Sequence, residues 1–526
     1  MFFKSFSLNS GFLWQINFAS FSDILISLLI ISYNFIDIYF IFLTVYACFI
    51  GLFGLYIKNN RDQKGRIIIP YQHKKHDFTL LICAHNEENV ILNTLQEMSH
   101  LDYPKELLKI VVICDNCNDK TFEIASRFAK NKKNLFILER KNKEFRGKPH
   151  AVKFGFDWID ENLQYEAVSI ADADNIYHPD FFNVMNKHLN EGNQIIQGYL
   201  GVKNPFETFI TSSSAYSYFA LCRVHFMGRK RLGLAGCLGG TGFVVTKKAI
   251  KEIGWDMKSL VEDFEFSCKS VIKGWHIDYA YDAITYDEKP TDVKTSVTQR
   301  SRWSQGHWNV AFRYTKPLLK KLFGRNKVNK FILFDYLLYM WSPGRIILYC
   351  WFMITYFILA IFQILNRGDY FVSLVFIGFN LKLFISILPR LMEYYSAVRE
   401  GFHWWRIVDV FYYYTFFFVQ WFPGVIGGLF TWRDQRNWAK TLHKSTVNVT
   451  NLSGISLPSS NFNFNNQIGI LKDKFKASME INIHKKVKEA TKNQIDIYRE
   501  RVNNTRLNQQ IAQKINNRIR IQLEKN

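Results

Sequence analysis

The sequence lacks the cysteine pattern of a disulfide-stabilised protein. Its eight cysteines are scattered, and several fall within apolar runs, whereas small secreted domains space their cysteines densely. Cys114 and Cys117 form a C-x-x-C pair with Asp115 between them. Two small residues at the end of a strand explain this pair better than a redox centre does. Disulfide-rich secreted proteins and thioredoxin-like enzymes are therefore disfavoured.

Nucleic-acid-binding motifs are also missing, although the chain is strongly basic. Its 67 Lys and Arg residues exceed its 45 Asp and Glu residues, which gives a formal net charge of +22. Such an excess suits a nucleic acid, an anionic membrane face or phosphorylated substrates. The sequence has neither zinc-finger spacing nor a repeated basic motif. We therefore expect no nucleic-acid partner, and the membrane and phosphorylated substrates remain.

A cleavable signal peptide is not expected, because the first long apolar stretch is too long and lacks a small-residue cleavage site. Ile38–Ile57 is uncharged and has the length of one membrane crossing. Four basic residues between positions 58 and 66 place its carboxyl end in the cytoplasm. Ile24–Ile36 is shorter, and we predict an interfacial segment there, with a second tilted span as the alternative.

Apolar segments return towards the carboxyl end, in a chain with 17% aromatic residues. Phe331–Gly344 contains Asp335 and a break at Pro343, which favours the membrane interface. Three further segments are predicted spans: Ile346–Asn366, Tyr370–Pro389 and Val410–Trp432.

Three crossings would leave the basic tail outside, which conflicts with the positive-inside tendency. A re-entrant turn at Pro423-Gly424 or a crossing by Phe331–Gly344 would place the tail in the cytoplasm, as we expect. The first part of the tail is predicted to be disordered. Apolar residues every four positions from Leu507 to Leu523 predict a terminal amphipathic helix.

Between the two apolar regions, buried-strand patterns alternate with helical patterns, the strands beginning at Phe78, Leu108, Asn134 and Ala167. This alternation predicts an α/β fold with a mostly parallel sheet and helices on both faces. Such sheets bind ligands at the carboxyl ends of their strands. The polar residues at those ends are His85, Asn86, Glu87, Asp115, Asp172 and Asp174.

Asp172 and Asp174 follow the buried strand Ala167–Ala171 directly. Two carboxylates at a strand end can hold Mg²⁺ or Mn²⁺ and, through the ion, a diphosphate. A strand-end turn with capping carboxylates is the alternative. If a cation binds there, it offsets the charge that develops on a nucleoside diphosphate leaving group.

A second acidic group, Glu262, Asp263 and Glu265, lies at the start of a predicted helix. Acidic side chains stabilise a helix N-terminus by about 0.3–1 kcal/mol, and this alone could explain them. The chemical alternative is a general base that removes the proton from an attacking sugar hydroxyl. Asp263 is the preferred candidate, and Glu262 and Glu265 are the alternatives.

The segment from Gln299 to Trp303 combines basic and aromatic residues. A basic face near the membrane is one explanation. The other is a substrate site, in which an Arg holds a diphosphate bidentately and the Trp stacks on a sugar ring. Lys148, before a predicted helix, could reach a phosphate or could be an ordinary surface lysine. The loop Gly239–Gly242 precedes a strand, so we interpret it as a wall that approaches the substrate closely.

The ordered set Asp115, Asp172-Ala-Asp174, Glu262-Asp263 and Gln299-x-x-Arg302-Trp303 resembles the family 2 processive membrane glycosyltransferases, such as cellulose, chitin, hyaluronan and poly-N-acetylglucosamine synthases. The resemblance extends from Phe78 to His443, because Trp438–His443 is similar to the motif that follows their membrane helices. It implies a GT-A domain. Two features depart from the family: Cys83-Ala84-His85 replaces a Pro-Thr-Tyr-like segment, and the basic tail has no counterpart, with no cyclic-di-GMP-binding barrel evident.

The resemblance also implies a role for each site residue. His85 and Asp115 would contact the uridine, with Asn86 and Glu87 beside them. Lys148 and Asp172 would bind the nucleotide sugar, and Asp174, with Asp172, would ligate Mg²⁺ or Mn²⁺. Asp263 would be the base and Arg302 would hold the diphosphate. Gln299, Trp303 and Glu262 would contact the acceptor.

These inferences predict four regions: an N-terminal membrane segment (1–66), a cytoplasmic glycosyltransferase domain (67–325), interfacial and transmembrane helices (326–443) and a basic tail (444–526). We expect a multi-pass plasma-membrane enzyme that uses a UDP-sugar to elongate a polysaccharide on a growing glycan or lipid acceptor. A non-processive glycolipid synthase and an inactive membrane scaffold or channel component are the alternatives. The sugar, the linkage and the oligomeric state stay open.

Overall fold

The computed structural model describes residues 21–56, 74–142, 144–366, 386–435 and 513–514. The chain divides into two compact units, Met1–Ser460 and Asn461–Asn526, and the description below concerns the first. Several predictions fall outside the described residues. They are the basic flank at 58–66, most of the Tyr370–Pro389 span, the Trp438–His443 motif, the disordered tail and the terminal helix.

Eight strands form one sheet in the described part of the chain. Their bounds are β1 Phe78–Ala84, β2 Leu108–Asp115, β3 Leu135–Arg140, β4 Ala167–Asp172, β5 Ile176–Tyr177, β6 Ile195–Val202, β7 Phe243–Thr246 and β8 Asp278–Asp287. Their order across the sheet is β3-β2-β1-β4-β7-β6-β8-β5. The side chains of β1, β2 and β4 are almost entirely buried, as their continuous apolar runs require.

The sheet is mixed, which corrects the expectation of a mostly parallel one. Strands β1 to β4 pair in parallel, and β6 pairs in parallel with β8. Strand β7 runs antiparallel to both β4 and β6, and β5 runs antiparallel to β8. The periodicity of a strand sets its burial but not its direction, so the antiparallel half was not visible in the sequence.

The helices are α1 Phe21–Leu55, α2 Ile91–Ser99, α3 Thr121–Ala129, α4 Lys148–Asn162, α5 Phe181–Asn190, α6 Phe209–Ala220, α7 Gly228–Arg231, α8 Lys247–Ile253, α9 Glu262–Ile272, α10 Val293–Phe323, α11 Lys330–Met340, α12 Ser342–Asn366, α13 (386–399) and α14 Ile407–Thr431. A π-helical segment, Leu221–Met227, joins α6 to α7. Helix α4 covers one face of the sheet, and α2, α3 and α5 cover the other. Helices on both faces are therefore confirmed.

Helices α1 and α12 contain segments long and apolar enough to cross a membrane, Ile24–Leu55 and Ser342–Ile361. Because α1 is continuous, Ile24–Ile36 belongs to the same helix as the predicted span, which corrects its assignment as a separate interfacial segment. Helix α14 covers the third predicted span and contains Pro423. The predicted interruption of the helix near Pro343 is confirmed, since α11 ends at Met340 and α12 begins at Ser342.

Two buried ion pairs connect the catalytic half of the molecule to its apolar helices. Asp335 of α11 accepts hydrogen bonds from Arg229 and, at 2.6 Å, from the hydroxyl of Tyr46 in α1. Arg223 of the π-helical segment bonds Glu400 at 2.6 Å and the carbonyl of Leu55 at 3.0 Å. The charge within the apolar Phe331–Gly344 segment is thus neutralised by an arginine from the domain.

Glycines bring the backbone of α1 against the π-helical region. A Cβ atom at Gly54 would collide with the backbone of Arg223 and Val224, and one at Gly228 would collide with the backbone of Ile50. Only glycine permits such an approach, because any side chain would force the helices apart.

Candidate functional site

A cavity of about 1900 Å³ opens at the carboxyl ends of β1, β2 and β4. Its lining includes every predicted site residue except Asn86 and the alternative base Glu265, although these residues are spread from His85 to Trp303 in the sequence. Parallel strands bring their carboxyl ends to one edge of a sheet. Helices α9 and α10 supply the other side of the cavity.

Asp115 is the last residue of β2, where it forms a buried ion pair. Arg140 Nη1 donates to its Oδ1 at 2.5 Å, and Asn116 Nδ2 donates to the same oxygen at 2.9 Å. The ring of His85 lies 2.6 Å from the Asp115 carbonyl oxygen. Sequence reasoning missed Arg140, although it is the last residue of β3 and pairs in register with Asp115.

Asn86 and Glu87 follow β1, and both form hydrogen bonds with residues that follow β2. Asn86 has a φ of 57°, a conformation that Asn adopts more readily than most residues. Its side chain accepts a hydrogen bond from the Asn118 amide at 2.7 Å and so joins two strand-end loops. The Glu87 amide donates to Thr121 at 2.7 Å. Cys117 is a free thiol that contacts the carbonyl of Ala84 at 3.5 Å.

Lys148 lies between the donor-side and base-side carboxylates. Its Nζ is 2.6 Å from Asp172 Oδ1, 3.6 Å from Glu262 Oε1 and 2.6 Å from the Gly240 carbonyl. Burial alone would lower the pKa of Lys148, but Asp172 and Glu262 together raise it above its usual value. Lys148 is thus a charged, partly buried cation inside the site and not an ordinary surface lysine.

Asp174 is buried at the same edge and is surrounded by further acidic and basic groups. The Glu288 amide donates to its Oδ2 at 3.3 Å, and Lys203 Nζ donates to its carbonyl at 2.5 Å. Asp287, which also lines the cavity, bonds Lys289 at 2.6 Å through Oδ2. Its Oδ1 is buried with no hydrogen-bond partner. Burial raises the pKa of Asp287, and Asp174 and Asp172 act in the same direction.

The residues present fit a divalent cation. Among the described residues no three metal-ligating side chains converge on one point. However, Mg²⁺ at nucleotide sites is usually held by one or two carboxylates and the substrate phosphates. Asp172 and Asp174 line the cavity, and the buried Asp287 Oδ1, which has no hydrogen-bond partner among the described residues, is an unused acceptor atom at this edge.

Asp263 lies at the start of α9, beside the glycine loop. A Cβ at Gly240 would be 3.6 Å from its Oδ2. Burial and, next, the negative charge of the neighbouring Glu262 raise the pKa of Asp263 to about 7, while Lys148 opposes the shift. The pKa of Glu262 is also raised by burial. A carboxyl with a pKa near 7 suits proton abstraction.

Glu265, the other candidate base, is held by structural contacts. Its carboxylate accepts hydrogen bonds from the amides of Lys258 and Ser259 at 2.8 and 2.7 Å. It also accepts one from the Tyr314 hydroxyl at 2.9 Å and pairs with Arg313 at 2.7 Å. Glu265 is fully buried and is absent from the cavity lining, so its position does not favour a role in chemistry.

Helix α10 presents Gln299, Arg302 and Trp303 to the cavity. Burial lowers the pKa of Arg302, and the carboxylates of Glu262, Asp172 and Asp263 oppose that shift. Arg302 therefore stands within electrostatic reach of both acidic groups. The ring centroid of Trp303 is 6.3 Å from that of Trp421 in α14.

Sequence reasoning also missed His307, one turn of α10 beyond Trp303. Its ring packs 4.3 Å from Phe264, the residue that follows Asp263. Burial lowers its pKa to about 4, so His307 is neutral at physiological pH. The spacing of four residues after Trp303 was the signal that could have revealed it.

Residues 76–306 match the protein-family model for glycosyltransferase like family 2. These residues form a family 2 glycosyltransferase domain. The match covers the sheet and the site residues from His85 to Trp303 but ends before α11. The expectation of a family 2 enzyme is therefore confirmed at the level of the domain, whereas the processive membrane subtype stays a proposal.

Curated relatives include both polymer and lipid glycosyltransferases. The chain is 26% identical over 329 residues to the probable glycosyltransferase YdaM of Bacillus subtilis, covering 61% of this chain and 72% of that protein. It is 24% identical over 291 residues to the poly-beta-1,6-N-acetyl-D-glucosamine synthase of Staphylococcus epidermidis, covering 55% and 68%. It is 25% identical over 270 residues to the beta-monoglucosyldiacylglycerol synthase of Trichormus variabilis, covering 51% and 57%.

Among solved structures, the mannosyltransferase PcManGT from Pyrobaculum calidifontis, in complex with GDP-Man and Mn²⁺, superposes with a TM-score of 0.46. The two sequences are 16% identical, and the match covers 71% of this chain and 98% of that one.

Proposed function

We propose that the protein is a membrane-embedded, inverting GT-A glycosyltransferase that uses a UDP-sugar to elongate a polysaccharide. One observation carries the proposal: a single cavity contains the strand-end acids, Asp263 and the Gln299–Trp303 face of α10. The same cavity is lined by residues of α1 and α12, the two helices that could cross a membrane. The residues proposed to bind the donor and the helices that could cross a membrane thus line the same cavity.

The donor half of the site is the edge from Asp115 to Asp174. His85 and Asp115 hold the nucleoside, with Arg140 fixing the Asp115 carboxylate. Lys148 and Arg302 bind the diphosphate, since a guanidinium matches phosphate bidentately and a lysine supplies a point charge. Asp174 and Asp172 would hold Mg²⁺ or Mn²⁺, which when bound supplies positive charge that offsets the charge on the leaving UDP.

Asp263 performs the proton transfer. The acceptor hydroxyl attacks the anomeric carbon from the face opposite the UDP, its oxygen forms the new bond, and the bond to the diphosphate breaks. The hydroxyl proton passes to the Asp263 carboxylate, whose raised pKa makes it a stronger base than an exposed aspartate. Glu262 keeps that pKa high, and Gln299 and Trp303 orient the acceptor sugar.

Elongation is favoured because the cavity continues past the α10 residues towards α12, which leaves space for a growing glycan. The Staphylococcus epidermidis relative is named for a polymer, and this supports the same class of product. A non-processive glycolipid synthase is the second candidate, favoured by the Trichormus relative. The convergence of the predicted carboxylates argues against the third alternative, an inactive scaffold or channel component.

The test is to incubate membranes containing the protein with a panel of UDP-sugars and Mg²⁺ or Mn²⁺, and to measure UDP release and product size. We expect one sugar to give metal-dependent UDP release, abolished by EDTA, and a product of many residues. A product of one or two sugars on a lipid would establish the second candidate instead. Absence of metal-dependent UDP release with every donor would overturn the proposal as a whole.

A further inference from the structure

The cavity extends along one face of α12, beyond the residues that the chemistry needs. Positions three or four apart share a helix face, and the interval from Ser342 to Phe352 corresponds to ~15 Å along the axis. The α1 residue Phe40 borders the same stretch, since its ring lies 6.1 Å from Tyr349 and 6.2 Å from Phe352. The α12 residues that line the cavity are Ser342, Pro343, Arg345, Ile346, Tyr349 and Phe352.

Charge is segregated between the two ends of the cavity. Every carboxylate in its lining belongs to the catalytic domain, between residues 87 and 288. The lining that the described parts of α1 and α10 to α14 provide has no carboxylate but three arginines, Arg302, Arg345 and Arg390. The helical end therefore attracts anions, whereas the sheet end combines its carboxylates with four basic residues, Lys141, Arg146, Lys148 and Lys258.

Arg345 is the clearest feature of the helical end. Its Nε is buried with no hydrogen-bond partner, and its Nη2 donates to the Leu338 carbonyl at 2.5 Å. Within the described part of the chain it has no carboxylate partner. A cation at membrane depth is costly and usually faces a cavity where it serves a ligand or a pathway. The unsatisfied guanidinium thus indicates an anionic ligand.

Arg345 also lies close to the catalytic residues. Ser342, one helical turn before it, has its Oγ 3.5 Å from His307 Nε2. His307 packs 4.3 Å from the ring of Phe264, which follows Asp263 in α9. A ligand on Arg345 is therefore near enough to present a neighbouring hydroxyl to the base.

Arg390 of α13 supplies a second guanidinium. It lies 4.7 Å from the ring centre of Tyr414 and pairs with Glu393 at 3.1 Å, and Glu393 also accepts from the Tyr414 hydroxyl at 2.6 Å. Arg345 and Arg390 both line the cavity, and together they carry one more positive charge than Glu393 cancels.

We propose that Arg345 and Arg390 bind the phosphate headgroup of a lipid acceptor onto which the first sugar is transferred. This inference rests on the proposed function and specifies its acceptor class. Guanidinium groups bind phosphate through paired hydrogen bonds. The apolar part of the acceptor lies against Phe40, Tyr349 and Phe352, at the level of the helices that could cross a membrane.

The test uses the whole chain in phosphatidylcholine vesicles that contain equal amounts of either dioleoylglycerol, which has a free hydroxyl but no phosphate, or dioleoyl phosphatidylglycerol, which has both. The radiolabelled UDP-sugar is the one that gives UDP release. We expect at least about tenfold more label in the lipid fraction with the phosphate lipid, because one charge-assisted hydrogen-bond pair corresponds to about that factor. Equal labelling of the two lipids would overturn the inference, as would stimulation by a soluble anionic oligosaccharide alone.

Variants separate recognition from chemistry. Arg345→Gln and Arg390→Gln should each raise the KM for the phosphate lipid about tenfold, while UDP release without acceptor stays unchanged. Arg345→Lys should recover part of the loss, because the charge returns without the paired geometry. The matched control is Arg406→Gln, since Arg406 pairs with Asp409 at 2.9 Å outside the cavity lining.

A second measurement covers variants that fold poorly. Binding of radiolabelled phosphatidylglycerol to detergent-purified protein that elutes as a single species should fall in both cavity variants and not in Arg406→Gln. Unchanged binding in the cavity variants would overturn the inference. Loss of acceptor-independent UDP release in the unmodified protein would instead contradict the proposed function, so the two failures are distinguishable.

Discussion

Asp263 combines a position beside the Gly239–Gly242 loop with an environment that makes it basic. Burial is the main reason that its pKa rises to about 7, and the carboxylate of Glu262 is the next. An exposed aspartate has a pKa of about 3.9. Asp263 therefore holds a proton more strongly than a surface carboxylate, yet is largely ionised above pH 7.

Replacing Asp263 with Asn should abolish transfer without abolishing donor binding. General acid–base catalysis contributes roughly 10²–10⁴-fold, so sugar incorporation should fall by that factor while UDP still binds. The control is Asp256→Asn, because Asp256 is exposed and pairs with Lys269 on the surface. Full incorporation by Asp263→Asn in proteoliposomes would reject Asp263 as the base.

The transfer rate should rise with pH and level off above neutrality. Asp263 must be ionised to accept a proton, so activity should appear as pH increases through about 7. Glu262→Gln removes a negative charge that raises this pKa, and the midpoint should then shift to lower pH. The measurement is kcat against pH for both proteins at saturating donor. An unshifted midpoint in Glu262→Gln would show that another group controls the profile.

The sequence predicted most of the site residues because strand ends meet at one sheet edge, whatever the side-chain details. It did not predict Arg140, Asp287 or the structural role of Glu265. Arg140 becomes relevant only when β3 pairs in register with β2. Glu265 could be separated from Asp263 only when the helix showed which carboxylate faces the cavity and which accepts three hydrogen bonds and pairs with Arg313.

At the scale of elements, the contact between α10 and α14 positions the acceptor residues. Gly424 and Gly428 of α14 touch the backbone of α10, where a Cβ would lie 2.6 Å from Ser301 Cα or 2.8 Å from the Gln305 amide nitrogen. These contacts flank Arg302 and Trp303. Small residues four apart allow helices to approach this closely.

Gly428→Ala and Gly424→Ala should therefore reduce activity by displacing α10. The added methyl meets backbone atoms that cannot move aside. Gly427 provides the control within the same helix, since a Cβ there has nothing within 4 Å and alanine is favoured over glycine in helices. Incorporation assays on the three variants, with apparent Tm values, check this. Equal effects at all three positions would contradict it.

The positions of strands were predicted correctly where burial alone determines them. Features that depend on strand direction or on a packing partner were not predicted. The starts of β1, β2 and β4 were predicted to the residue, because each is the first residue of a buried apolar run. The antiparallel direction of β7 was not predicted, since it depends on the connection between distant strands. The continuity of α1 was missed because Asp37 interrupts the apolar pattern, although the helix carries it at a buried position.

At the scale of the whole molecule, the ion pair between Arg229 and Asp335 should stabilise the fold through the interaction between its two charges. Asp335→Leu or Arg229→Met leaves one buried charge alone, which costs about 3–5 kcal/mol. The double variant removes both and should lose less than the sum of the two. Apparent Tm in detergent measures each change. The control is the exposed Lys153–Asp157 pair, whose removal costs about 0–1 kcal/mol. Additive losses would show that the two charges act independently.

The close contact of α1 with the π-helical region also fixes the distance between α1 and the sheet-containing part of the molecule. Because Gly54 and Gly228 place main chain against main chain, the catalytic half cannot rise or tilt relative to α1 without breaking that packing. Asp263 therefore works at a constant height above the end of α1. If the protein elongates a glycan as proposed, its catalytic carboxylate cannot follow the lengthening product. Each added sugar would then move the glycan forward by one sugar length while the protein keeps its position.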